Sequence, residues 1–232
     1  MNLFFAEFNN EFAILNVHES QHCIKVLRYR IGDHIWVTDG KGKALQGEII
    51  EIEHQQVKVL LSATVYSGAA PGPYTLFMAP TKHIDRTEWA VEKATELGVK
   101  HIGFFTSRYS ERRHLNLKRI QLIIDAAMKQ SQRTLKPSIS ELQPFENLLQ
   151  QYSGSAFGIA HCLMGSKINI NTWVKQKHTH YTLCIGPEGD FSEQEITQAR
   201  QTGISEIVLG EARLRTETAV IYACSVLHAL TA

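Results

Sequence analysis

The chain has 232 residues, 44% of them hydrophobic, with 24 Lys and Arg against 23 Asp and Glu for a net charge of +1. At roughly 150 residues per domain, this length suits one large domain and one small one, and it can bury a core without disulfide or metal staples. The balance of charge and apolar content excludes a disordered tail protein and a wholesale polycation.

In chain order, the opening segment MNLFFAEFNNEF carries acids where a signal peptide would carry bases. No run approaches the ~18 apolar residues of a membrane helix, so a cytoplasmic protein without membrane attachment is expected. A helical stretch near Glu19–Arg28 precedes strands in HIWVTD (34–39), ALQGEIIEI (44–52) and QVKVLLSATV (56–65), a density of short strands that suits a small β-barrel. SGAAPGPY (67–74) is a linker by composition. The texture then changes to strands alternating with longer helices. TLFMAP (75–80) leads to a helix over about 87–97, opened by a capping box at Asp85-Arg86-Thr87-Glu88 and closed by Gly98. VKHIGFFTS (99–107) is a strand, and LKRIQLIIDAAMKQSQR (117–133) is a helix with Ile120, Ile124, Ala127 and Ser131 on one face. FGIAH and YTLCIG read as buried strands, Ser192 with Glu195 caps a helix that Gly203 closes, ISEIVLG is a strand, and 217–230 is the final helix. Alternation of this kind implies a mostly parallel sheet with helices on both faces.

The near-zero charge is unevenly spread. Residues 1–70 hold 6 basic and 8 acidic groups, residues 71–140 hold 12 and 6, and residues 141–232 hold 6 and 9. In the middle segment Arg108, Arg112, Arg113, Lys118, Arg119, Lys129, Arg133 and Lys136 are opposed locally by Glu111 and Asp125 alone. Such a run is either a solvated helix face or a phosphate-binding surface, and its five arginines favour phosphate, whose oxygens a planar guanidinium matches.

Two motifs are set aside. His18-Glu19-Ser20-Gln21-His22 fits H-E-x-x-H, but its helix is short and lies in the barrel region, so no metal is expected. Gly40-Lys41-Gly42-Lys43 has no following helix and reads as a hairpin turn. The four cysteines, Cys23, Cys162, Cys184 and Cys224, form no C-x-x-C pair and read as reduced thiols. More informative is Ile185-Gly186-Pro187-Glu188-Gly189-Asp190-Phe191, which joins a buried strand to the helix capped by Ser192. Leu209-Gly210 and Leu214-Arg215-Thr216-Glu217-Thr218-Ala219 follow another strand in the same way. Both are either tight strand-to-helix turns or walls of the crevice where open α/β sheets hold ligands. The residues alone support a small-molecule site beside a basic, RNA-like surface.

Taken together, Gly186-Pro187-Glu188-Gly189, Leu209-Gly210, Leu214 to Ala219, Glu88-Trp89, Glu92 to Gly98, Gln130-Ser131-x-Arg133, and His22 with Val26-Leu27-Arg28 resemble the RsmE family across nearly the whole chain. Members are bacterial methyltransferases of the SPOUT superfamily that methylate N3 of a uridine in 16S rRNA of the small ribosomal subunit with S-adenosylmethionine. The resemblance implies a PUA-like RNA-binding barrel over 1–68, a linker over 69–74, and an α/β methyltransferase domain over 75–232 whose last segment is threaded into a trefoil knot. It places the cofactor on Ile185, Gly186, Pro187, Glu188, Gly189, Leu209, Gly210, Leu214 and Thr218, with the glycines admitting it close to the backbone. It further implies a homodimer whose interface includes the final helix. In this reading Arg215 is the cation that stabilises a uracil anion, and Glu217 is the base or orients Arg215. Arg28, Arg112, Arg113, Lys118 and Arg133 contact phosphates, and Gln130 and Arg133, three apart on one helix, are placed to reach the base. Asp190 and Arg213 depart from the family pattern, which has glycine and an aliphatic residue there. The rival readings are a SPOUT methyltransferase for another RNA site and a non-catalytic RNA-binding ribosome-assembly factor.

Overall fold

Apolar and polar residues alternate through much of the N-terminal region, and a period of two makes strands with one buried face. In the computed structural model, which describes residues 2–154 and 156–231, five strands close into a barrel. They are β1 (Leu3–Asn9), β2 (Phe12–Leu15), β3 (His34–Thr38), β4 (Ala44–Glu53) and β5 (Gln56–Tyr66), in the order β1-β2-β5-β4-β3. Parallel pairing of β1 with β3, Leu3 opposite Trp36, completes the ring and leaves no open edge. The other pairings are antiparallel. Phe4, Ala13, Leu15, Ile35, Val37, Ile49, Val57 and Val59 fill the interior. Gly47 is required where β4 crosses β5, because a Cβ there would stand 2.5 Å from Val59 and 2.6 Å from the Leu60 carbonyl oxygen. The expected helix near Glu19–Arg28 is in fact α1 (Val17–Gln21) followed by a π-helical turn, His22–Val26. Buried Ser20 ties it to the barrel, donating to the Leu15 carbonyl and accepting from the Val57 amide.

The chain divides into two compact units, residues 1–70 with 125–136, and residues 71–124 with 137–232. A linear division near residue 68 therefore leaves out a downstream segment that groups with the barrel. Thr134 Oγ1 donates to the Gly42 carbonyl and accepts from the Gly68 amide, and the Lys136 amide donates to the Gly40 carbonyl. Contacts of this kind, made to loop backbone, carry no sequence period.

In the second unit, β6 (Tyr74–Met78), β7 (His101–Thr106), β8 (Ser138–Pro144), β9 (Phe157–Ala160), β10 (Ile168–Asn169), β11 (Tyr181–Ile185) and β12 (Ser205–Val208) form one sheet, ordered β10-β12-β9-β11-β6-β7-β8. Every pairing is parallel. The connecting helices are α2 (Ile84–Glu96), α3 (Leu117–Gln130), whose residues from 125 onward group with the first unit, α4 (Phe145–Gln151), α5 (Ile170–Val174), α6 (Glu193–Gln201) and α7 (Thr216–Thr231). Alternate residues of the buried strands face two separate cores, as expected for a sheet covered on both sides. Tyr74, Leu76, Met78, Leu183 and Ile185 pack with Ala90, Val91 and Ala94 of α2 and Val220, Ala223 and Leu227 of α7. Phe77, Phe105, Ile159 and Cys184 pack with Phe145 and Leu148 of α4 and Ile196 and Ala199 of α6.

Several local expectations need correction. No capping box opens α2, whose N-cap is His83 without a side-chain bond. Thr87 is instead buried, its hydroxyl accepting from the Thr81 amide, and Glu88 receives the Arg119 guanidinium at 3.1 and 3.0 Å. Helix α3 ends at Gln130, so Gln130 and Arg133 do not share a helix face. Strands β1, β2, β8 and β10 and helices α4 and α5 carry too short a period to stand out in the sequence. The Ser192–Glu195 capping box is formed, and Gly98 and Gly203 close their helices at φ +84° and +77°. No helix among the described residues is long and apolar enough to cross a membrane.

Candidate active site

The strand order brings the carboxyl ends of β11, β9 and β12 side by side. The chain visits β6, β7 and β8 on one side and then crosses to β9, which opens a crevice at those ends. A cavity of about 720 Å³ occupies it. Its walls are Ala160 to Cys162 after β9, Ile185 to Glu188 and Asp190 after β11, and Ile207 to Thr216 after β12, with Lys167 and Ala219. The two loops singled out in the sequence are thus not on adjacent strands. Strand β9 lies between them and supplies His161 and Cys162, which the sequence reading missed because FGIAH shows only as a strand ending.

Hydrogen bonds brace these loops against one another. Asp190 takes φ +65°, the left-handed conformation that glycine adopts without strain, and its carboxylate accepts from the Cys162 amide at 2.7 Å and the Phe191 amide at 2.9 Å. Arg213 Nη2 donates to the Glu188 carbonyl at 3.4 Å, and Thr216 Oγ1 donates to the Gly186 carbonyl at 3.0 Å. Asp190 and Arg213, the two departures from the family pattern, are therefore both cross-braces of this cavity. The Glu188 carboxylate accepts from the Lys82 amide at 3.0 Å.

Three glycines of these loops serve two purposes. A Cβ on Gly186 would lie 2.8 Å from the Phe191 ring, and one on Gly189 would lie 2.7 Å from Cβ of Tyr109, so both glycines make room for aromatic packing. At Gly210 a Cβ would meet no atom of the described residues within 4 Å, so of these three it is Gly210 that leaves space on the cavity side. Of the residues expected at the cofactor, Ile185, Gly186, Pro187, Glu188, Leu209, Gly210 and Leu214 line the cavity; Gly189 and Thr218 do not.

Arg215 lines the cavity, is exposed, and makes no ion pair among the described residues. Glu217 does not join it. Its side chain is buried, the residue being 6% exposed, with Oε1 3.7 Å from Arg86 Nη1 and Oε2 without a hydrogen-bond partner among the described residues. Glu217 thus neither orients Arg215 nor lines the cavity, because the first turn of α7 carries it toward α2. His161 has a fully buried side chain whose Nε2 lies 3.0 Å from Glu206 Oε2, and Glu206 also takes Arg200 at 2.8 and 3.0 Å. Burial and the nearby Lys167 ammonium hold the imidazole below its usual range, outweighing the opposite pull of Glu206. The Arg200 guanidinium holds the Glu206 carboxyl below the usual carboxylate range. Among the described residues no group of three His, Cys, Asp or Glu is placed to hold a metal.

The basic run is mostly occupied internally. Arg112 donates to the Thr81 and Lys82 carbonyls at 3.0 and 2.7 Å, Arg119 pairs with Glu88, Lys129 with Glu19, and Lys136 with Asp125. Arg133 is 7% exposed and donates to the Ala69 and Ala70 carbonyls. The expectation that Arg112 and Arg133 contact phosphates is corrected accordingly, and Arg133 is not placed to reach a base. Arg28, Arg113, Lys118 and Gln130 are exposed.

Residues 69–228 match the family model described as an RNA methyltransferase domain, and residues 15–62 match that of an RNA methyltransferase PUA domain. A solved structure of a probable rRNA-methyltransferase from Porphyromonas gingivalis superposes with a TM-score of 0.89 at 32% identity, covering 100% of this chain and 98% of that one. A ribosomal RNA small subunit methyltransferase E from Neisseria gonorrhoeae, bound to S-adenosyl methionine, superposes with a TM-score of 0.83 at 26% identity over 99% of this chain and 98% of its own. A protein of the same name from Mesomycoplasma hyopneumoniae is 34% identical over 140 residues, which is 58% of this chain and 60% of that protein. The barrel, the parallel sheet and these matches agree, and the chain belongs to the RNA methyltransferase domain family, among the ribosomal RNA small subunit methyltransferase E (RsmE) proteins.

Proposed function

We propose that this protein transfers a methyl group from S-adenosylmethionine to N3 of a uridine in 16S rRNA of the small ribosomal subunit. The observation that carries the reading is the cavity of about 720 Å³ at the ends of three adjacent parallel strands. Its size falls in the ~300–1,000 Å³ range of small-molecule sites, and its walls offer loop backbone for an adenine edge and Leu209 and Leu214 for the ring face. Gly210 keeps one wall open where a side chain would intrude. The bound cofactor supplies an electrophilic methyl on a sulfonium. In the transfer that this methyl would allow, an N3–CH₃ bond would replace the S–CH₃ bond, whose electron pair would return to sulfur, and the N3 proton would leave to a base or to water.

The protein's part is alignment and charge. Holding both reactants in line is worth effective molarities of about 10⁵–10⁸ M, and the Arg215 cation stabilises negative charge on the uracil oxygens. Exposed Arg28, Arg113 and Lys118 supply phosphate contacts, and Gln130 a polar one. The working form is a homodimer, supported by exposed Trp89 on α2 and exposed Tyr222 and Leu230 on α7, an apolar surface that a second copy covers. The C-terminal segment that carries the cavity is threaded as a trefoil knot, and the protein works in the cytoplasm, where small subunits are assembled.

The test is transfer of labelled methyl from S-adenosylmethionine to 30S particles lacking the modification, followed by nucleoside analysis. Label in 3-methyluridine is the expected result. Label in another nucleoside would move the target, and no label together with no cofactor binding would leave an assembly factor.

A further inference from the structure

Beside the first cavity lies a second, of about 650 Å³, that shares Cys162, Asp190 and Arg213 with it. Its other walls include Arg108, Tyr109, Gly189 and Glu193. From sequence alone Tyr109 and Glu193 have no task, Arg108 counts only among the basic run, and Gly189 is placed on the cofactor, whose cavity it does not line.

Arg108 and Tyr109 are the two central residues of a β-turn that joins β7 to the segment before α3. The Ser110 amide donates to the Ser107 carbonyl at 3.1 Å, and the Ser107 amide donates to Ser110 Oγ at 2.9 Å. Both serines are buried, 4% and 5% exposed. The Arg108 amide donates at 2.8 Å to Glu195 Oε1, while Oε2 of the same buried carboxylate accepts from the Ser192 amide and hydroxyl. One capping-box glutamate thus fixes both the α6 N-terminus and this turn. Gly189 fixes it from the other side, since only the absence of a Cβ allows Tyr109 to approach it so closely.

A turn held this firmly displays what it carries. Tyr109 is 48% exposed, and the Arg108 guanidinium stands 5.9 Å from its ring centroid with no ion pair among the described residues. The cavity's acids do little to neutralise its arginines. Asp190 already accepts two backbone amides, which leaves Glu193 against Arg108 and Arg213. An exposed aromatic ring with an adjacent guanidinium is the combination that holds unpaired bases, the ring stacking on the base and the cation on its phosphate. The N3 of uridine is hidden by pairing, so an enzyme acting there needs a pocket for an extruded base. That pocket must also adjoin the methyl donor.

We propose that the second cavity receives the acceptor nucleotide, with its pyrimidine ring against Tyr109 and its phosphate on Arg108. The assignment rests on the methyltransferase reading and adds to it where the RNA base sits. The experiment compares wild type, Tyr109→Phe, Tyr109→Leu and Arg108→Ala. Each is measured for labelled methyl transfer to 30S particles lacking the modification, for S-adenosylmethionine binding by calorimetry, and for thermal stability. Loss of a stacked base predicts a fall of about 5- to 150-fold in kcat/KM for the particles in Tyr109→Leu, near-wild-type transfer in Tyr109→Phe, and a raised KM for particles in Arg108→Ala. Cofactor affinity should stay within about twofold and the melting temperature should hold, because Arg108 is anchored through its amide, which the substitution keeps. Wild-type turnover in Tyr109→Leu, or equal losses in Tyr109→Phe and Tyr109→Leu, would overturn the subsite alone. An inactive wild type would overturn the methyltransferase reading and the subsite with it.

Discussion

The crevice loops and the basic run from Arg108 to Lys136 looked equally suggestive in the sequence, yet the fold treats them in opposite ways. The loops after β11 and β12 remain open to a ligand because their side-chain bonds run to backbone groups, through Glu188, Asp190, Arg213 and Thr216. The run loses most of its cations to internal partners, several of them far away in sequence, such as Glu19 for Lys129 and Glu88 for Arg119. A loop between a buried strand and a capped helix has few places to go. A long cationic side chain has many, and a carboxylate or carbonyl one element away is enough to capture it.

The largest effect that would sharpen this contrast is at Arg215, which lies in the cavity wall and makes no ion pair among the described residues. Replacing it with Ala should lower methyl transfer by about 10²–10³-fold, the cost of removing one charge-stabilising donor, with cofactor affinity within a few fold. Calorimetry beside the transfer assay checks both halves, and unchanged turnover removes Arg215 from the chemistry. Next is Gly210→Val. It should weaken cofactor binding by more than tenfold while leaving stability within about 0.5 kcal/mol, because the added atoms meet ligand space rather than protein. A large fall in melting temperature would show that the wall is filled from within.

The run provides the converse pair. Arg112→Ala strips a charged donor from two carbonyls and should cost about 1–3 kcal/mol in denaturant unfolding. Arg113→Ala should leave stability unchanged and reduce the slope of log affinity against log salt by about 0.7–0.9 for an RNA fragment. If the two variants behave alike, the division of the run into occupied and available cations fails.

The smallest effect concerns acid. His161 and His101 both have pKa values pushed down, chiefly by burial. The unfolded chain therefore binds protons that the folded chain refuses once pH drops below about 6.5, and stability must fall with acidification through that window. Unfolding curves at pH 7 and pH 5.5 should show the decline, and His161→Asn should lessen it. An unchanged slope in that variant would place the proton uptake elsewhere.

Much of the architecture is legible before any coordinates. The change from short alternating strands to buried strands with capped helices marks the shift from barrel to α/β unit. Ser192 with Glu195 fixes the start of α6, and both crevice loops stand where a strand yields to a helix. Motif order across nearly the whole chain led to the family. The capping box read at Asp85–Glu88 failed because Thr87 and Glu88 had nonlocal partners in Thr81 and Arg119, and no local pattern reports such competition.

What the sequence by itself determined is therefore the set of elements with strong periods or caps, the two loops and the family. Tertiary structure alone decided that β9 lies between the loops, that residues 125–136 group with the barrel, that Glu217 serves Arg86 instead of Arg215, and which arginines remain available. The division has one physical cause. Hydrophobic period and capping are local and repeat along the chain, whereas strand order and the partner of a buried charge depend on which distant groups the folded backbone happens to bring within hydrogen-bond reach.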